Sequence, residues 1–292
     1  MAVKYVDRKT GETITESVMG DGALKFAYET LLGRTLWPVL FGSKAISALM
    51  GAYYDSKWSK AAVKGLTALP GCMWEEAEKP VEEYASFNEF FTRKLKAGAR
   101  PVGEGVVSPA DGRLRLYLGA DINTPFPLKG ATKALKYVIP NSQFTSEKLD
   151  VCVIRLAPVD YHRFHFPCDC TVGSARRADR APRVIPGKYH SVNPIALIKY
   201  PDVYADNERQ IMEYGTAFGK MWLVDVGAFG VGTIVQTAAE GKKGEEKGYF
   251  KFGGSTVIMI TEAGKLKFDE DLVKNSNNNL ETRVLCGERI AI

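Results

Sequence analysis

The sequence predicts an α+β protein, with amphipathic helices over residues 1–100 and a β-rich domain over 101–292. Three observations carry that prediction. In the first hundred positions apolar residues recur at helical spacing, as in Leu24, Ala27, Tyr28, Leu31 and Leu32. From Val106 onward the texture changes to short β-favouring runs separated by Gly and Pro. Composition is that of an ordinary folded chain, 45% hydrophobic and 25% charged over 292 residues.

The elements follow in order. Lys25 and Glu29 lie off the first stripe, and Pro38 separates it from a second stripe through Ile46, Leu49, Met50 and Tyr53. Lys57, Lys60 and Lys64 follow. These two helices have two readings: apolar faces packed on a core, or an interfacial contact with lysines turned to lipid headgroups. A third helix starts at Ser86, whose N-cap position and partner Glu89 form a capping box. Its Phe87, Phe90, Phe91 and Leu95 share a face. Strands are expected over Leu114–Leu118, Val151–Leu156, Met221–Val226, Thr233–Thr237 and Thr256–Thr261. Residues 173–220 read as irregular, and Lys242 to Lys247 as a solvated charged loop.

Composition also narrows function. A net charge of +5 suits an anionic partner, either a lipid surface or nucleic acid, or simply a solvated basic surface; no nucleic-acid partner is expected. Residues 1–12 lack the apolar core of a secretion signal, and the stretch 31–54 is interrupted by Arg34 and Lys44, unlike a membrane span. Five cysteines, Cys72, Cys152, Cys168, Cys170 and Cys286, are odd in number and point to a reducing compartment.

Chemistry concentrates in three islands. In Gly253-Gly254-Ser255-Thr256 the serine hydroxyl can attack the preceding peptide bond, because neither glycine carries a Cβ; a turn between strands is the plainer meaning. Ser108-Pro109-Ala110-Asp111-Gly112 holds a carboxylate in a turn-forming run. The run from Leu156 to Pro167 holds His162 and His165, two of the three histidines. Acid, base and hydroxyl are the set that serine activation requires. The local alternative is a zinc site made of His162, His165, Cys168 and Cys170, a spacing unlike the usual ones.

Together the islands resemble the Asp, His and Gly-Ser-Thr motifs of the phosphatidylserine decarboxylase family, self-cleaving pyruvoyl enzymes. Phe87–Arg93, Ser191–Pro194, Asn207–Arg209, Val226–Ala228 and Lys247–Phe252 fit the same family, and Tyr5–Arg34 resembles one bacterial branch. Gly-Gly-Ser-Thr stands where other members carry Leu-Gly-Ser-Thr, and His190 stands where a less polar residue is expected.

The resemblance implies cleavage between Gly254 and Ser255, giving chains 1–254 and 255–292, with Ser255 becoming a covalent pyruvoyl cofactor. It implies His165 as the base, oriented by Asp111. It also implies turnover through a Schiff base between the pyruvoyl ketone and the substrate amine, with His162 reprotonating the product carbanion. Both histidines reach the site if their segment is irregular, as Pro158 and Pro167 favour. The expected reaction converts phosphatidylserine to phosphatidylethanolamine and carbon dioxide. Arg163, Lys188, Ser191, Asn193 and Arg209 are the expected headgroup contacts, and no metal is expected. Expected partners are the phospholipid, an anionic membrane surface and the two cleaved chains, with a homo-oligomer left open. The expected location is peripheral, on the cytoplasmic face of the cell membrane. Alternatives are decarboxylation of a free aromatic amino acid or another serine phospholipid, or a zinc-stabilised binding module.

Overall fold

The computed structural model describes residues 4–16, 30, 44–127, 130–173, 181–192, 194–228, 233–253 and 255–292. The first predicted stripe and Pro38 lie outside these residues, apart from Thr30. The chain opens with strands β1 (Lys4–Asp7) and β2 (Thr13–Thr15), then helices α1 (Lys44–Asp55), α2 (Ala61–Thr67) and α3 (Phe87–Phe91). Strands β3 (Val106–Val107), β4 (Gly112–Asp121), β5 (Lys148–Leu156), β6 (Arg163–His165) and β7 (Arg183–Ile185) follow. Helices α4 (Pro194–Lys199) and α5 (Val203–Asp206) precede β8 (Arg209–Thr216), β9 (Gly219–Gly227), β10 (Ile234–Gln236), β11 (Glu246–Phe250) and β12 (Ser255–Glu262). Helix α6 (Glu270–Asn277), β13 (Glu281–Val284) and β14 (Arg289–Ala291) close the chain.

Nine strands form one sheet in the order β2-β1-β13-β4-β5-β12-β9-β8-β7. Its ladders are antiparallel apart from the parallel pair β1–β13. A three-stranded sheet, β10-β11-β6, and the pair β14-β3 complete the β structure. Strand β12 lies inside the large sheet, and its sequence explains why. Alternate side chains on a strand point to opposite faces. Val257 and Met259 enter one core with Phe164 and Phe250 of the small sheet and with Phe166 just beyond it. Ile258 and Ile260 enter the other with Trp222, Val224, Val138 and Ile139. A run that is apolar on both faces suits only a strand covered on both sides. Cutting Ile258 or Ile260 back to Ala costs about 2–5 kcal/mol by the usual cavity penalty.

A third apolar cluster joins the N-terminal helices to the body: Val63, Leu66, Phe87, Phe90 and Phe91 pack with Ala157 and Val159. The Ser86 cap forms, its hydroxyl accepting from Glu89 N at 3.2 Å, while the Glu89 carboxylate reaches back to Ala85 N at 2.7 Å. The helix stops at Phe91, so Leu95 lies beyond it, in an isolated bridge with Ala77.

All five predicted strands are present, most of them longer than expected. Hairpin β1–β2, not anticipated in a region expected to be mainly helical, joins the large sheet. Two expectations are corrected. The stretch 173–220 contains β7, α4, α5 and all of β8. Glu246 and Lys247 belong to β11, and Lys247 is fully buried rather than solvated.

Candidate active site

Strand register brings the three islands to one end of the large sheet. Arg283, Arg113, Arg155, Thr256, Val226 and Arg209 form a transverse row across β13, β4, β5, β12, β9 and β8. One step further, Ser255 pairs with Leu156 on one side and Gly227 on the other, while Gly112 pairs with Val284. Asp111 thus enters β4, and Ala157 leaves β5, at the serine's end of the sheet. A Cβ at Gly112 would lie 2.7 Å from the Arg155 carbonyl oxygen, so glycine is required beside the aspartate. Strand β6 is tied to the same loop, since the Pro109 carbonyl accepts from His165 N at 2.7 Å.

Ser255 opens β12 fully buried, and its Oγ has no hydrogen-bond partner among the described residues. A buried hydroxyl is normally paired, and among the described residues this one is not. Gly253 has φ of 152°, which side-chain-bearing residues rarely adopt. The segment leading to Ser255 is anchored to the helices. Lys251 Nζ pairs with Asp55 at 2.8 Å, and Phe252 N donates to Asn88 Oδ1 at 2.8 Å. The Phe252 ring meets those of Tyr54, Phe87 and Phe91. Gly254 lies outside the described residues.

The two histidines have different surroundings. His162 precedes β6, is fully buried and lies over Phe91 with ring centroids 3.8 Å apart. Its Nδ1–H donates to the Asp160 carbonyl at 2.9 Å, since a carbonyl can only accept. Nε2 therefore carries the lone pair, and it has no partner among the described residues. Burial pushes the imidazole down to about 3, so the ring is neutral at physiological pH. His165 sits within β6, where Nδ1–H donates to the Gly244 carbonyl at 2.9 Å and Nε2 accepts from the Tyr161 hydroxyl at 3.1 Å. Burial lowers this ring too, partly offset by the Gly244 bond and the nearby Glu246 and Asp111 carboxylates.

The expected Asp111–His165 contact is replaced by another arrangement. Asp111 is fully buried and accepts from Arg100 Nε at 2.8 Å, Arg100 Nη2 at 2.6 Å and Cys286 N at 2.8 Å. Burial nevertheless raises its carboxyl above the ordinary value against the pull of Arg100. The Gly244 carbonyl, not Asp111, fixes the His165 tautomer, and the aspartate acts on the imidazole through space. Arg100 escaped sequence reasoning, because a lone arginine in a loop carries no signal of its tertiary partner.

Two of the expected headgroup cations are already committed. Arg209 is buried and donates to the carbonyls of Val138, Ala205, Asn207 and Tyr137. Arg163 grips the Glu246 carboxylate at 2.8 Å, donates to the Thr92 carbonyl and lies over the Tyr249 ring. Lys188 is exposed, Ser191 is half-buried, and Asn193 lies outside the described residues. Asn207, fully buried, holds the His190 carbonyl at 2.7 Å and the Gly227 carbonyl at 2.8 Å, which ties the 188–191 segment to the residue paired with Ser255.

The zinc alternative has no assembled ligand set. Cys168 and Cys170 approach at 3.7 Å between sulfurs, but His162 faces Phe91 and His165 engages Gly244 and Tyr161. Among the described residues no three His, Cys, Asp or Glu side chains form a metal-holding group.

Comparison with known proteins agrees with the motif reading. The family model for phosphatidylserine decarboxylase matches residues 87–292. A phosphatidylserine decarboxylase proenzyme of Fusobacterium nucleatum subsp. nucleatum is 38% identical, covering 98% of this chain and 96% of its own. Proteins of the same name from Ruminiclostridium cellulolyticum and Clostridium novyi are 38% and 39% identical over 99% of this chain, covering 97% and 98% of theirs. With its three motif islands at one sheet end and relatives matching almost end to end, the chain belongs to the phosphatidylserine decarboxylase family.

Proposed function

We propose that the protein is a phosphatidylserine decarboxylase made as a proenzyme, and that it matures by cutting itself between Gly254 and Ser255. The observation that carries the maturation step is a buried Ser255 Oγ with no partner among the described residues, two positions after Gly253 at φ of 152°. Ser255 Oγ attacks the Gly254 carbonyl carbon while His165 Nε2, once released from Tyr161, takes the hydroxyl proton. The Gly254–Ser255 C–N bond breaks, the nitrogen gains a proton, and an ester joins the two residues. Loss of the Ser255 Cα proton expels the ester oxygen as the Gly254 carboxylate. Hydrolysis of the remaining nitrogen releases ammonia and leaves a pyruvoyl group at 255.

That group supplies a ketone that holds the substrate amine and accepts the electrons left when carbon dioxide departs. His162 is the proton donor in this reading. It starts neutral, Nε2 having no partner among the described residues, and takes up the proton that the substrate ammonium sheds when its nitrogen bonds the ketone, a transfer that an anionic headgroup beside the ring favours. Its exclusion from water keeps the proton for the substrate carbon. Lys188, which is exposed, remains the headgroup cation of choice, since Arg163 and Arg209 are occupied.

A lipid substrate is favoured over a free amino acid by the outer face of α1. Leu49 and Tyr53, one helical turn apart, are 72% and 51% exposed, and Trp58 is 75% exposed beside exposed Lys57, Lys60 and Lys64. Apolar and aromatic side chains fringed by lysines suit an interfacial contact with anionic lipid. The next residue, Tyr54, packs on Phe252, so this face lies directly outside the proposed reaction centre. Among the described residues no helix is long and apolar enough to cross a membrane. The apolar and lysine-rich face of α1 is what supports placing the protein on the membrane surface, which this reading puts at the cytoplasmic face. Denaturing electrophoresis with intact mass tests the maturation step. Wild type should give fragments 1–254 and 255–292, the second with a blocked amino end, and Ser255→Ala one uncut, inactive band. A fully active protein in one piece would overturn the proposal.

A further inference from the structure

Lys247 is fully buried, yet no step of the reaction uses it. Its ammonium bonds Asp225 Oδ2 at 2.5 Å and Gln236 Oε1 at 2.9 Å, and lies 4.9 Å from the centre of the Phe164 ring. Gln236 Nε2 also donates to Asp225 Oδ2 at 2.7 Å and to Gln210 Oε1 at 2.9 Å. A buried network is stable only when its charges are matched in this way.

The position of the network in the fold gives it meaning. The register of β11 against β6 slips between Glu246, opposite His165, and Gly248, opposite Phe164. Lys247 is thus the extra residue of a β-bulge, turned inward beside the strand that carries His165. Gly244, whose carbonyl holds the His165 ring, lies three residues upstream. At the other end, Asp225 on β9 pairs with Val257 of β12, two residues from Ser255. The ion pair therefore spans from the sheet bearing His165 to the sheet bearing Ser255.

We infer that Lys247 and Asp225 are positioning residues for self-cleavage, a strut that sets the distance and register between the nucleophile's sheet and the base's sheet. This rests on the reading of Ser255 as nucleophile and His165 as base. Breaking only one partner strands a buried charge and threatens the fold, so both are replaced together. Lys247→Met with Asp225→Leu puts apolar bulk in their place, a change that a merely structural pair tolerates. Lys247→Gln with Asp225→Asn keeps hydrogen bonding without charge.

Purified precursors are followed by electrophoresis over time, with and without hydroxylamine, which cuts the ester intermediate, and thermal melts are recorded on the same samples. The Met/Leu pair should melt within a few degrees of wild type. It should still mature at least tenfold more slowly and yield less hydroxylamine-sensitive material, and the Gln/Asn pair, which keeps the hydrogen bonds without their charge, should mature more slowly than wild type but faster than the Met/Leu pair. A Met/Leu pair that melts like wild type and matures at the wild-type rate overturns the strut. If it melts far lower, the Gln/Asn pair decides: slower maturation at an unchanged melting temperature supports the strut, and anything else rejects it. Ser255→Ala and His165→Ala run alongside. Normal cleavage in either defeats the underlying assignment, whatever the paired variants do.

Discussion

A histidine that burial holds near 3 has a measurable acid signature. The unfolded chain takes up a proton on His162 below about 6.5, whereas the folded chain resists until about 3. Its contribution to stability is therefore lost as pH falls through that window, at about 1.4 kcal/mol per pH unit. In a Ser255→Ala background, which keeps the chain whole, replacing His162 with Phe should flatten the stability profile between pH 6.5 and 4. Urea titrations at several pH values check this; parallel profiles would mean that the ring is not held neutral. Asp111 works in the opposite sense, because its raised value lets the folded chain accept a proton early. The difference between the two variants isolates the histidine. At this scale the types and order of Asp111, His162, His165 and Ser255 were readable from the motifs. Their partners were not: Arg100, the Gly244 carbonyl and the Tyr161 hydroxyl are supplied by chain folding, and spacing does not encode them.

Strand β12 sits between β5 and β9 and is hydrogen-bonded to both along its length. Strand β13 lies between β1 and β4, and β14 pairs with β3. All the strands that residues 255–292 supply are thus laced into strands of the preceding chain. Cleavage should consequently leave the two chains together. Native size-exclusion chromatography of matured protein should show both fragments in one peak, separating only in denaturant; separate elution in buffer would contradict the topology. The sequence revealed the apolar strand centres because alternation and β-branched residues mark them. Strand β11 stayed hidden, since Glu246 and Lys247 look like a solvated loop until Asp225 and Arg163 neutralise them. The helical stripe of α1 was legible as a stripe, but what covers it depends on the body, which leaves Leu49 and Tyr53 facing outward.

At the scale of the whole molecule, the exposed apolar face of α1 neighbours the proposed reaction centre through the Tyr54–Phe252 contact. Replacing Leu49, Tyr53 and Trp58 together with Ser should reduce flotation with anionic vesicles several-fold and lower turnover on vesicle-borne substrate, while self-cleavage continues. Unchanged flotation would remove that face as the membrane contact. Point changes are the better test, for a reason lodged at the far end of the chain. Glu16 is buried against Arg155 at 2.7 Å and Arg113 at 3.4 Å, and Arg113 also pairs with Asp160, whose carbonyl holds His162.

Trimming the opening sixteen residues for expression would thus strip a counter-anion from two interior guanidiniums. Arg113 would keep Asp160 and Arg155 would keep Glu281, so the loss is a part of the about 3–5 kcal/mol that a fully unpaired buried ion costs, still a sizeable share of a typical domain's margin. Such a shortened product should aggregate or melt early, and its inactivity would say nothing about lipid. A purification tag belongs on the other terminus, where Ile292 is solvent-facing.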